Sequence, residues 1–235
     1  MHRPTILEKI VNGVIKLVLR ILCRVDVSEV DKLPLKGPYL LVVNHINFLD
    51  IPVLYLYLLP RRVTALVKKE TWDKPLHGFL GNLWRAIPVR RGIVDTKSMQ
   101  LCLEYLSEGG ILFVAPEGTR SSDGRLRKGK GGIVPLAIRA GVPVYPVTHY
   151  GGENFWNNIK HWRRTDITIQ VGQPFYIKTG NLSVTSRIRK EITEQVMLKI
   201  AELLPEEYRG VYKDTSRRKE SPYIKAIADE SRGII

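Results

Sequence analysis

Two short stretches of this chain bring together side chains that can move protons and hold anions. The first is Asn44-His45-Ile46-Asn47-Phe48-Leu49-Asp50, with a histidine and a carboxylate five positions apart. An aspartate that accepts from one imidazole nitrogen leaves the other free to take a proton from an attacking hydroxyl. Five positions along a regular helix turn through about 140°, so only a turn between them lets the side chains meet. The same spacing also fits a surface histidine beside an aspartate that caps the next helix. The second stretch is Ala115-Pro116-Glu117-Gly118-Thr119-Arg120-Ser121. Arginine grips a phosphate bidentately, and glycine lets backbone N–H groups come close to an anion. Taken alone it is equally a polar turn with an exposed arginine.

The elements that must position these loops follow from apolar patterning. Tyr39–Val43, Val63–Val67, Ile111–Val114, Val142–Val147 and Ile167–Val171 are short apolar, β-branched runs that predict strands, and both loops follow directly on such runs. Amphipathic stretches fill the gaps. Asp95 is placed to cap a helix carrying Met99, Cys102, Leu103 and Leu106, stopped by Gly109-Gly110. A last helix follows Ser183 or Thr185, with Ile188, Ile192, Val196 and Ile200 on one face. Asp50 to Leu59 is too short to span a bilayer and reads as a buried helix. This alternation predicts an α/β layer architecture with a central sheet, and in such folds chemistry gathers where strands end.

From Ile6 to Arg24 the polar residues recur at helical spacing in one narrow stripe that includes Lys9, Lys16, Arg20 and Arg24. Its longest apolar run, Leu17-Val18-Leu19, falls far short of the ~20 residues that cross a bilayer. The pattern predicts an amphipathic helix lying in the headgroup boundary, its cations meeting anionic lipid. A helix packed on the domain's own core is the alternative. Domain boundaries are expected at 1–34 for this helix and its linker, 35–204 for a catalytic domain, and 205–235 for a polar extension.

Charge narrows the partner. The 37 Lys and Arg against 23 Asp and Glu leave a formal +14, which calls for an anionic partner. The excess is central: residues 61–100 hold nine basic and three acidic residues, whereas 206–235 hold seven and six. A basic nucleic-acid-binding tail is thereby disfavoured. Cys23 and Cys102 stand far apart in no metal-binding spacing, which fits a reducing compartment, and the N-terminus shows no signal peptide. Gly124 to Lys130 is G-x4-G-K, but Gly131 replaces the Ser or Thr that would bind Mg²⁺, so a P-loop is rejected. No G-x-S-x-G elbow occurs, which argues against a serine hydrolase. His2, His77, His149 and His161 make no ligand spacing with His45, and no metal requirement is expected. A non-catalytic module for anionic lipid would keep the basic residues yet have no use for His45 with Asp50.

Taken together, N-H-x4-D at 44–50 and Pro-Glu-Gly-Thr-Arg-Ser at 116–121 resemble the glycerolipid acyltransferase family. Gly81–Arg91 and Val142–Val147 resemble its remaining blocks in order and separation, so the likeness covers roughly residues 35–175. It is nearest to the 1-acylglycerol-3-phosphate acyltransferases. Ala115 departs from the Phe of many members, and the adjacent Arg90 and Arg91 leave a choice of phosphate ligand in which register favours Arg91. The resemblance implies a central mixed sheet flanked by helices and a fatty acyl transfer from acyl-CoA or acyl-carrier protein to the sn-2 hydroxyl of 1-acyl-sn-glycerol 3-phosphate, making phosphatidic acid. It implies His45 as general base and Asp50 as its partner, with no covalent acyl-enzyme. Arg91, Glu117, Gly118, Thr119 and Arg120 would bind substrate, no cofactor is needed beyond the thioester, and the site is the cytoplasmic face of the membrane, reached peripherally or monotopically. Glycerol 3-phosphate or another lysophospholipid is the alternative acceptor.

Overall fold

The computed structural model describes residues 4–90, 95–217 and 220–227. Among them are nine strands: β1 (Cys23–Asp26), β2 (Tyr39–Val43), β3 (Val63–Lys68), β4 (Ile87–Val89), β5 (Ile111–Val114), β6 (Val144–Tyr150), β7 (Thr165–Val171), β8 (Phe175–Ile177) and β9 (Ile224–Ala226). The α-helices are α1 (Ile6–Leu22), α2 (Asp50–Leu58), α3 (Pro75–Leu83), α4 (Thr96–Ser107), α5 (Ile133–Ala140), α6 (Phe155–Lys160) and α7 (Ser186–Glu202).

The strands form one mixed sheet in the order β1-β7-β6-β2-β5-β3-β4, with β8 attached to β6 and β9 to β8. β2 to β6 all run parallel to one another, and β7 returns antiparallel to β6. All five residues of β2 are buried, because helices cover both faces of a central parallel strand and leave it no polar side. One core cluster packs α2 against Leu41, Val43, Ala65 and Phe113. The other packs α4, α5 and α7 against Leu40, Val42, Leu112 and Val144. The parallel direction delivers the loops after β2, β3, β5 and β6 to a single edge of the sheet.

β3 pairs with β5 only from Val63 to Ala65. From Leu66 to Lys68 its partner is β4, on the other side. Beyond Ala65 and Phe113 the two strands therefore part, and a cleft opens through the sheet.

Strand pairing crosses the positions 34 and 204 where boundaries are expected. β1 pairs in parallel with β7, Cys23 opposite Thr165, and β9 pairs with β8. Tyr212 is buried as well, so described residues of both terminal segments pack against the rest of the domain. Strands of three or four residues carry too little alternation to be read locally, and their partners lie far away in sequence.

The N-terminal helix forms, ending at Leu22, with its apolar side turned outward. Part of its polar stripe faces the protein: Tyr55 donates to Glu8 at 3.2 Å, Trp84 Nε1 donates to Asn12 at 2.9 Å, and Lys16 lies 5.2 Å from the centre of the Tyr57 ring, while Lys9, Arg20 and Arg24 are exposed. Ile6 is 78% exposed, and Leu7, Ile10, Val14, Leu17 and Ile21 are exposed with it. Among the described residues no helix is long and apolar enough to cross a membrane.

Candidate active site

β2 ends at Val43, and the chain turns at once. Leu49 N–H donates to the Asn47 side chain at 2.9 Å, closing an Asx turn that brings the start of α2 back toward the strand end. Asp50, the first residue of α2, then sits against His45. Its Oδ2 receives His45 Nδ1–H at 2.6 Å, the Ile46 N–H at 2.7 Å and the Asn47 N–H at 3.1 Å. With Oδ2 as the acceptor, the proton is assigned to Nδ1 and Nε2 is left with its lone pair. The carboxylate is 3% exposed. Burial pushes its pKa up, but the His149 ring beside it, the His45 hydrogen bond and the Asn47 N–H outweigh that, and it ends below the usual carboxylate range. This is the turn geometry that the five-residue spacing required.

The second loop is laced to the first. The Ser121 N–H donates to the His45 carbonyl at 2.8 Å and the Ser122 N–H to that of Ile46 at 3.0 Å. Glu117 receives the His45 N–H on Oε1 at 2.8 Å and the Arg127 N–H on Oε2 at 2.7 Å. It is 1% exposed, so both oxygens serve the backbone and neither faces the cleft. This departs from the expected substrate contact: Glu117 ties two loops together. Burial pushes its pKa up to about 7 against the two backbone hydrogen bonds. Gly118 has φ +63°, and a Cβ there would stand 3.0 Å from Lys130 Cδ, so glycine both permits the turn and leaves room for that lysine.

His45, Asp50, Gly118, Thr119 and Arg120 line the cleft, which has a volume of about 1330 Å³. That exceeds the ~300–1,000 Å³ of ordinary small-ligand pockets, leaving space for two substrates at once. Its walls are mostly apolar, with Ala65 and Trp84 from one face of the sheet and Met99 and Leu136 from the other. Arg91 lies outside the described residues; Arg90 is exposed, and its N–H donates to Asp95 at 2.9 Å.

Sequence reasoning passed over several lining residues. Lys68, the last residue of β3, borders the cleft and pairs with Glu70 at 3.7 Å, and Arg139 and Arg189 border it from α5 and α7. Lys68 was findable by the rule that chemistry gathers at strand ends. Arg189 was not, because only packing brings α7 over Gly131, whose missing Cβ makes room for the Arg189 stem. Cys102 also lines the cleft, but burial pushes its thiol up to about 12 and it is no nucleophile at neutral pH.

Comparison with known proteins bears on this geometry. Residues 24–150 match the family model described as Acyltransferase. The chain is similar to the 1-acyl-sn-glycerol-3-phosphate acyltransferase BAT2, chloroplastic, of Brassica napus, 29% identical over 188 residues that cover 74% of this chain and 52% of that protein. It is similar also to the lyso-ornithine lipid O-acyltransferase of Pseudomonas aeruginosa, 38% identical over 113 residues, 48% of this chain and 43% of that one. The chain thus spans about half the length of these relatives. The crystal structure of the 1-acyl-sn-glycerophosphate acyltransferase PlsC from Thermotoga maritima shares the fold, with TM-score 0.60 and 24% identity over 83% of this chain and 79% of that one.

Proposed function

The chain belongs to the acyltransferase family, and from that premise we propose that it moves a fatty acyl group from a thioester to the sn-2 hydroxyl of 1-acyl-sn-glycerol 3-phosphate, making phosphatidic acid. The observation that carries this reading is the 2.6 Å His45–Asp50 pair at the wall of a large, mostly apolar cleft.

In the proposed mechanism His45 Nε2 takes the proton of the acceptor hydroxyl as its oxygen attacks the thioester carbonyl carbon. Asp50, held ionised by the His149 ring, the His45 hydrogen bond and its backbone N–H donors, stabilises the imidazolium. The carbon–sulfur bond then breaks, and the imidazolium returns the proton to the thiolate, giving ester and free thiol. A positioned base of this kind contributes about 10² to 10⁴ in rate. Arg120 holds the acceptor phosphate, with Thr119 and the Gly118 turn beside it and Arg91 as a second ligand. No metal or cofactor takes part. The donor is acyl-CoA or an acyl-carrier-protein thioester.

The outward apolar face of α1 supports action at a membrane surface. A fully buried Leu or Ile side chain gains about 1.5–3 kcal/mol, so leaving six in water is costly unless a bilayer takes them. Anionic lipid on the cytoplasmic side suits the net charge of +14. Replacing Ile10 and Leu17 together by Asp should abolish sedimentation with phosphatidylglycerol vesicles.

The test of the reaction is transfer of radiolabelled acyl groups to lysophosphatidic acid in detergent micelles, with acyl-CoA and acyl-carrier protein as separate donors, comparing the unmodified chain with His45→Ala. Product lost with His45→Ala establishes reaction and base; equal activity in the variant refutes the base. The 38% identity to a lyso-ornithine lipid acyltransferase favours that lipid as the second acceptor to assay.

A further inference from the structure

Asp50 Oδ2 is filled by three donors, whereas Oδ1 receives, among the described residues, only the Asn47 N–H, at 3.1 Å, as a hydrogen bond. Facing that oxygen, on the side away from His45, is the imidazole of His149, its Nε2 3.6 Å from Oδ1. His149 is 3% exposed, near the end of β6. The same Nε2 lies 3.2 Å from the carbonyl oxygen of Asn44. Both neighbours are acceptors, which assigns the ring proton to Nε2.

The backbone of residue 149 completes the arrangement. Its N–H donates to Asn44 Oδ1 at 2.9 Å, and its carbonyl accepts from Asn44 Nδ2 at 2.8 Å. Asn44, the residue before His45, is therefore held to position 149 by three hydrogen bonds, only one of which uses the His149 side chain. β2 and β6 are paired in register up to Val43 and Val147, so the ladder itself delivers residue 149 to this place.

We infer that His149 is a positioning residue for the His45–Asp50 pair, its Nε2–H holding the peptide that leads into His45 while its ring faces the rear oxygen of the Asp50 carboxylate at 3.6 Å. The inference rests on His45 acting as the base. An imidazole against the rear oxygen limits the room in which the carboxylate can turn, and a fixed Asn44 carbonyl sets the direction in which the imidazole of His45 leaves the strand. The effect belongs to the chemical step and not to substrate capture, because His149 lies behind Asp50 and is not among the cleft-lining residues.

Steady-state kinetics of the full chain in micelles, with acyl-CoA and lysophosphatidic acid each varied, tests this on His149→Gln, His149→Asn, His149→Leu and His45→Ala. Glutamine carries an amide N–H where the ring has Nε2–H and should keep kcat within about threefold, while Asn stops short and Leu has no donor, each lowering kcat roughly tenfold or more with both KM values nearly unchanged. Wild-type kcat in the Asn or Leu variant, a Gln variant as slow as Leu, or a loss confined to KM would each overturn the assignment. The Gln and Asn variants keep a polar side chain in the site, so the comparison survives even if the Leu variant fails to fold. An active His45→Ala variant would instead remove the base itself, a separate failure from that of His149.

Discussion

Asp50 and Glu117 sit in the two loops that make the site, each buried and each accepting two or more backbone N–H groups. Their ionisation is nevertheless driven in opposite directions. Asp50 has an imidazole on either side, at 2.6 and 3.6 Å, and stays below the usual carboxylate range. Glu117 has Asp50 as a nearby like charge and no ion-pair partner within 4 Å among the described residues, and burial lifts it to about 7. Burial and backbone hydrogen bonds are common to both, so the neighbours decide, two imidazoles at one carboxylate and a second carboxylate near the other: one can support an imidazolium, and the other is a tie between loops.

Removing the charge from each carboxylate while keeping its shape breaks the comparison most sharply. Asp50→Asn should lower kcat by about 10³ to 10⁴, since the amide favours the wrong His45 tautomer, with little change in either KM. Retained activity in the acyl-transfer assay would mean that the pair does not do the chemistry. Glu117→Gln should act first on stability. Its amide has one acceptor oxygen and an NH2 where the site has two acceptor oxygens, so one backbone N–H loses its partner, at a cost of about 1–3 kcal/mol in urea denaturation.

The two groups should also leave opposite marks on the pH dependence of stability. For Glu117 the folded chain holds its proton up to about pH 7, whereas the unfolded chain releases it near 4.5. The folded state thus binds more protons across that window, and its stability falls as pH rises through it, by about 3 kcal/mol for the full shift. Denaturation curves at intervals from pH 4.5 to 8 should show this loss in the unmodified chain and not in Glu117→Gln. Asp50 has the reverse sign, contributing stability that is present above 3.8 and lost as pH falls through its lower folded value.

Smaller effects are expected where neither carboxylate is touched. Arg120→Ala should raise the KM for lysophosphatidic acid roughly tenfold and leave that for the donor alone. Equal effects on both substrates would take Arg120 away from the acceptor phosphate. N-ethylmaleimide should change activity least, because burial pushes the thiols of Cys23 and Cys102 up to about 11 and about 12. Rapid inactivation would point to a thiol in the site.

The sequence by itself determined much of this. It placed β2 and β5 at the residues where they form, found α2, α4 with its Asp95 cap and α7 after Ser183 or Thr185, between which the structure selects Thr185, and singled out His45 and Asp50 together with the turn they need. These are local matters, settled by period and by end signals within a few residues. Only the tertiary structure decided that β1 and β9 complete the sheet, that Glu117 points inward, and that His149 stands behind Asp50. α1 and α7 show why. Both run for 17 residues from a threonine cap, and both carry a stripe. Yet α7 buries Ile192, Val196 and Ile200, whereas α1 buries Glu8 and Asn12 beside Leu19 and turns most of its apolar side out. Periodicity gives the angle between the two sides of a helix. Which side meets the protein depends on what the facing surface offers, and for α1 that surface is Tyr55 and Trp84, which follow it by more than 30 residues and present an O–H and an N–H that need acceptors.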